Sequence, residues 1–275
     1  MSYRYSASPK KELKIKNKGL FLIIFCILFT PAQSMSGSFK VSPVKLNLDS
    51  RINTTVIKIT NQSDDKVTIQ LDAKEWSQDE TGPDTYNQSK DIVFFPRIIT
   101  IEKREERIIR VGYQGNKSLK AEKTYRLFLE ELPVAEPGET VLKLALRIAV
   151  PIFISPLKKT KKPSVEKVRF SEGNLAVNVK NSGNVHFLVG KITAIGLDSL
   201  GREVFKTDGN GWYVLAGADR TFDIDIPEKN CIKADKVKVT VEVDRTTMEH
   251  DLILDKAQCI NKKEDEKNLG GKLNK

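Results

Sequence analysis

Histidine is almost missing from this chain: His186 and His250 are its only two in 275 residues. Imidazole is the usual metal ligand and neutral-pH proton carrier. Neither histidine has a cysteine or a second histidine at usable ligand spacing, so no metal centre is expected. Motifs that announce catalysis are missing too. There is no Gly-rich phosphate loop, no G-x-S-x-G elbow and no H-E-x-x-H, which leaves nucleotide-driven, serine-hydrolase and zincin chemistry without their parts. Asp223 and Asp225 share a strand face, but their alternation with Phe222, Ile224 and Ile226 reads as the solvated side of a half-buried strand. The expectation is therefore a protein that is no enzyme and uses no cofactor and no nucleotide. Helical periodicity is lacking as well. The longest apolar run, Gly19 to Phe29, has eleven residues, short of the ~20 that a membrane-spanning helix needs.

Positive charge is abundant, with a formal net of +10, but its distribution matters more than its sum. Arg4, Lys10, Lys11, Lys14, Lys16 and Lys18 precede the apolar run, and Pro31-Ala32-Gln33-Ser34 follows with small residues at Ala32 and Ser34. That order is the pattern of a secretory signal peptide, with cleavage expected after Ser34 or Ser36. Residues 1–34 are read as that signal, which leaves no stable membrane anchor after cleavage. Its removal takes away six Lys/Arg and Glu12, leaving +5. The basic stretch Lys158 to Lys162 has no interleaved aromatics for base stacking, so no nucleic acid is expected as partner. Cys26 lies inside the apolar run. That leaves Cys231 and Cys259, which an oxidising compartment allows to form one disulfide.

What the chain does have is β-alternation. Segments 39–48, 54–60, 66–76, 92–96, 97–101, 107–113 and 125–132 read as short strands, with 54–60 and 66–76 joined as a hairpin through the polar cluster Asn61 to Asp65. Ser77 to Lys90 is polar, contains Gly82-Pro83-Asp84 and reads as a loop. Pro43 interrupts the first strand, so its pairing is expected to switch partway. This density of short strands over a hundred-odd residues suits an immunoglobulin-like sandwich. A polar, basic segment, 157–163, then reads as a linker, and the pattern restarts for a second sandwich. The expected organisation is all-β: a first domain over 38–156, the linker, a second domain over 164–260 with Cys231 and Cys259 near its end, and a charged tail over 261–275.

The stretch from Val141 to Pro156 (VLKLALRIAVPIFISP) stands apart. Leu142, Leu144, Leu146, Ile148, Val150, Ile152 and Ile154 fall on alternate positions, a single apolar row along one long strand. Pro151 removes a donor and points to an edge or a bulge. A long apolar edge strand aggregates unless the fold or a partner covers it.

Taken together, VSPVKLNL (41–48), FPRIITIE (95–102), YRLFLEELP (125–133), the 141–156 strand and NSGNVHF (181–187) resemble the PapD-like periplasmic fimbrial chaperones of the chaperone–usher pathway. The resemblance implies two immunoglobulin-like domains in an L-shaped or boomerang arrangement. It implies a periplasmic protein that caps pilin subunits by donor-strand complementation and delivers them to an outer-membrane usher. On this resemblance Leu142, Leu144, Leu146 and Ile148 are the row lent to the subunit, and Val150 onward faces the chaperone's own core. The family also grips the subunit's C-terminal carboxylate with an arginine and a lysine. Lys45 stands at the arginine position and Pro151 at the lysine position, which points to a divergent, archaic or alternative branch, with Arg126 or Arg147 as candidates for the second charge. The competing expectation is an exported two-domain sandwich with a structural or adhesive role.

Overall fold

A computed structural model describes residues 39–78, 83–132, 145–171 and 173–259. The signal segment, the charged tail, Leu142 and Leu144 lie outside these. Alternation translates directly into strands: Val67, Ile69, Leu71 and Ala73 are buried while the residues between them are not, as the two-residue repeat of a strand requires. The fold is a two-domain β-sandwich. The first sandwich holds β1 (Phe39–Ser42), β2 (Leu46–Asp49), β3 (Thr54–Asn61), β4 (Val67–Gln78), β5 (Asp84–Gln88), β6 (Ile92–Phe95), β7 (Ile98–Ile101), β8 (Glu106–Tyr113), β9 (Lys123–Leu132) and β10 (Arg147–Ser155). One sheet runs β1-β3-β8-β6, and the other β2-β10-β9-β4-β5 with β7 also on β4. Their inner faces enclose Ile57, Ile59, Ile69, Ile109, Leu127, Leu129 and Ile152.

The second sandwich holds β11 (Pro163–Ser171), β12 (Asn174–Asn181), β13 (Phe187–Leu197), β14 (Glu203–Asn210), β15 (Tyr213–Val214), β16 (Asp219–Asp225), β17 (Lys236–Val243) and β18 (Thr246–Ile253). Its sheets run β11-β12-β16 and β14-β13-β17-β18, with β15 on β13. A short helix α1 (Glu228–Cys231) and a 3-10 turn (Lys256–Cys259) carry the two cysteines, which form a disulfide with both partners fully buried. No helix among the described residues is long and apolar enough to cross a membrane.

The first strand switches as Pro43 suggested: β1 pairs with β3 in one sheet, and β2 pairs with β10 in the other. Three expectations fail, each for a local reason. β3 and β4 are not a hairpin, because they belong to different sheets. The chain crosses between them at Asn61, whose buried amide donates to the carbonyls of Asp65, Ile101 and Glu102 at 2.7, 3.0 and 3.1 Å. The second sandwich repeats the device with Asn181, which donates to Val185, Val214 and Leu215. The polar stretch 77–90 is not all loop, since β5 pairs with β4 from Lys74↔Gln88 to Gln78↔Asp84. Finally, Asp208-Gly209-Asn210-Gly211, whose composition predicts a turn, is strand as far as Asn210. Gly209 pairs with Ile192, and a Cβ there would come within 2.7 Å of Ile224, so this glycine serves close packing and not a turn.

Candidate functional site

The 141–156 row decides where the first sandwich is unfinished. β10 pairs with β9 from Arg147 to Ile154, but with β2 only from Ile152 to Ser155. From Arg147 to Pro151 its outer edge therefore has no strand partner among the described residues. Val150, Ile152 and Ile154 are fully buried in the first core, whereas Leu146 and Ile148 continue the same row and only partly pack against it. The site is thus an open strand edge with main-chain donors and acceptors, flanked by apolar side chains that the fold half covers. Chemically it can add a strand and bury those side chains beneath it.

The opposite face of the same sheet carries charge. Register places Pro151 opposite Arg126, and Arg126 opposite Lys74. Pairing of Leu46 with Ile152 puts Lys45 beside Pro151 on the other flank. Lys45, just ahead of β2, therefore lines up with Pro151, Arg126 and Lys74 on three neighbouring strands, on the face turned away from the first core. Lys45 is exposed. Arg147 is not in this row: it lies four residues, roughly 13 Å, from Pro151, with its Nε 3.5 Å from Glu130 and its guanidinium 4.4 Å over the Phe128 ring.

Arg126 is the unusual member, being only 4% exposed. Its guanidinium lies 3.8 Å over Trp76 and within 5.4 and 5.8 Å of Trp212 and Tyr213. Nη1 donates to the carbonyl of Ala149 at 3.3 Å, while Nε and Nη2 have no hydrogen-bond partner. Burial pushes its pKa down, and the neighbouring Tyr86, Asp84 and Tyr213 act against that shift. A buried guanidinium with idle donors is costly; a carboxylate is the group whose geometry fits it.

The aromatic wall around Arg126 is also where the sandwiches meet. Trp76 and Phe153 project from first-sandwich strands into the core of the second. Phe153 stacks on His186 at 3.5 Å. Glu122, just before β9, accepts from the His186 main-chain N–H at 2.9 Å and lies 2.6 Å from its Nδ1. At the other end Gln78 donates to the Tyr213 carbonyl and accepts from the Leu215 N–H, both at 2.9 Å. Asp84 accepts from Gln78 Nε2, Trp212 Nε1 and Arg220 Nη1 at 2.8, 2.9 and 3.1 Å.

This architecture has known relatives. Residues 38–159 match the family model for pili and flagellar-assembly chaperones, PapD N-terminal domain. The first sandwich belongs to that family. The two-domain fold recurs in a chain of the CsuC–CsuE chaperone–tip adhesion subunit pre-assembly complex, from archaic chaperone–usher Csu pili of Acinetobacter baumannii. That match has a TM-score of 0.53 at 18% identity and covers 78% of this chain and 97% of the other. The YadV chaperone matches with TM-score 0.53 and 13% identity, over 79% of this chain and 100% of its own. The CupB2 chaperone of Pseudomonas aeruginosa matches with TM-score 0.50 and 15% identity, over 78% and 100%. No curated protein sequence matches the chain.

Within the PapD-type domain, the structure brings Leu146 and Ile148 to the open edge and Lys45 and Arg126 to one row, but it keeps Arg147 apart. Leu142 and Leu144 lie outside the described residues. Asp84, Glu122 and Trp212 were missed by sequence reasoning. Asp84 sits in a polar stretch with no period, and Glu122 in a charged stretch just before a strand. Trp212 carries a signal in its rarity, for the chain has two tryptophans and both lie over Arg126.

Proposed function

We propose that this chain is a periplasmic chaperone that caps pilin subunits by donor-strand complementation and hands them to an outer-membrane usher, without enzymatic activity. The observation that carries the reading is the half-finished β10, paired along one edge and without a strand partner among the described residues from Arg147 to Pro151 on the other, with an apolar row in the sequence running past its paired part. A subunit that lacks a strand would complete this edge and be completed by it. Burying each of Leu142, Leu144, Leu146 and Ile148 contributes about 1.5–3 kcal/mol before ordering costs. The subunit's C-terminal carboxylate is received at the Lys45–Arg126 row. Arg126 supplies the planar fork that Pro151 cannot, and Lys45 the exposed charge that meets the chain end first. Arg147, already engaged by Glu130, steadies the strand.

The test is co-expression with an exported pilin-like protein, using the paired variant Leu144→Asp, Leu146→Asp. The wild type is expected to form a one-to-one complex. The variant is expected to keep its circular dichroism spectrum and lose the partner. Unchanged partner binding in the folded variant rejects the reading and favours a structural or adhesive sandwich.

A further inference from the structure

Arg126 carries the charge best suited to a carboxylate, yet it is almost wholly buried in the chain as it stands. One side is closed by Trp76 and the other by Trp212 and Tyr213. Trp212 is the outer layer, 38% exposed, and belongs to the second sandwich. It is held in place by a single polar contact of its ring, Nε1–H to Oδ2 of Asp84 on β5 at 2.9 Å. Asp84 is an acid whose charge acts on Arg126, but its oxygens are taken by Gln78, Arg220, Tyr86 and Trp212. The covered state is therefore one in which the guanidinium keeps two idle donors while the carboxylate beside it is spent on the cover.

We infer that Trp212, positioned by Asp84, is a selectivity cover over Arg126 that excludes free carboxylates and yields only to one delivered by a chain docked along β10. The inference rests on the reading of Arg126 as a carboxylate anchor and adds what decides which carboxylate is accepted. If the uncovered state is a minor fraction of the ensemble, any ligand's apparent affinity falls by that fraction. A small acid has only its two oxygens to set against this. A subunit also gains the strand pairing and apolar burial of the β10 edge, and the carboxylate then pairs with donors already desolvated and unpartnered. Covering the site keeps it free of the small organic acids that would otherwise compete.

The probe is N-acetylglycine, the simplest mimic of a peptide C-terminus, titrated into the full chain while the Nε–H signal of Arg126 is followed by 15N NMR and assigned by its loss in Arg126→Met. Wild type is expected to respond weakly. Trp212→Ala is expected to bind at least tenfold more tightly, with the quenching of Trp76, then the only tryptophan, as a second readout. Asp84→Asn, which retains the indole but weakens its hold, is expected to shift affinity in the same direction, and it serves should Trp212→Ala fail to fold. Equal affinity in wild type and in the folded variants overturns the inference, and so does absence of any response in all of them. Neither result touches the donor-strand reading, which stands or falls on the Leu144→Asp, Leu146→Asp complex.

Discussion

Arg126 concentrates the tension between stability and function. Its guanidinium gains a cation–π contact of about 0.5–2 kcal/mol against Trp76 but is desolvated with two donors unpaired, each costing about 1–3 kcal/mol. The second effect is the larger. Arg126→Met, similar in length and apolar, is therefore expected to raise the unfolding free energy by about 1 kcal/mol, read as a higher urea midpoint at unchanged slope, while weakening capture of a subunit. A destabilised Arg126→Met protein would mean that the guanidinium is structural cement. The sequence placed Arg126 among the candidates from its strand position alone. It gave no sign that two tryptophans and a tyrosine would enclose it, because two of those rings come from residues more than eighty positions later. Arg147 shows the converse: near in sequence to Pro151, it is separated by strand rise, since four strand residues cover roughly 13 Å.

At the level of elements, β10 was legible because its row of alternate apolar residues is long. β5 and the β3–β4 relationship were not. A strand as exposed as β5, whose residues are mostly solvated, carries no apolar period to read. Whether two successive strands join one sheet or cross to another depends on what satisfies the corner. In this chain the corner is Asn61, with three carbonyls gathered by one amide. Asn61→Ala would leave those carbonyls without a donor and is expected to cost about 2–4 kcal/mol, measured by urea denaturation. Asn181→Ala should cost a similar amount in the second sandwich. A loss under 0.5 kcal/mol in both would show that water replaces the amide and that the crossings are held by packing alone. Alternation thus reveals strands reliably, but the polar residue that routes the chain between sheets looks in sequence like any turn asparagine.

For the whole molecule, the junction between the sandwiches lies beside the Lys45–Arg126 row, through Trp76, Trp212 and Tyr213. The Glu122 side chain is 1% exposed and meets both the main chain and ring of His186, and Phe153 lies flat against that ring. Removing the acceptor leaves a part-buried N–H unpaired, so Glu122→Ala is expected to lower the unfolding free energy by about 1–3 kcal/mol, read by thermal or urea melts. An unchanged melt would show that aromatic packing by Trp76, Phe153 and Tyr213 holds the junction without it. Sequence reading predicted two sandwiches and a linker but no junction, since its partners sit 64 to 137 residues apart. Amide hydrogen exchange over Arg147 to Ala149, with and without a co-expressed pilin-like subunit, reads the open edge of β10 itself. Fast exchange is expected in the free chain at amides facing that edge and at least tenfold slowing in the complex, matched by slowing in the subunit segment that pairs with them. Exchange at those amides that is already slow in the free chain, or that stays unchanged when the subunit binds, would contradict the donor-strand reading.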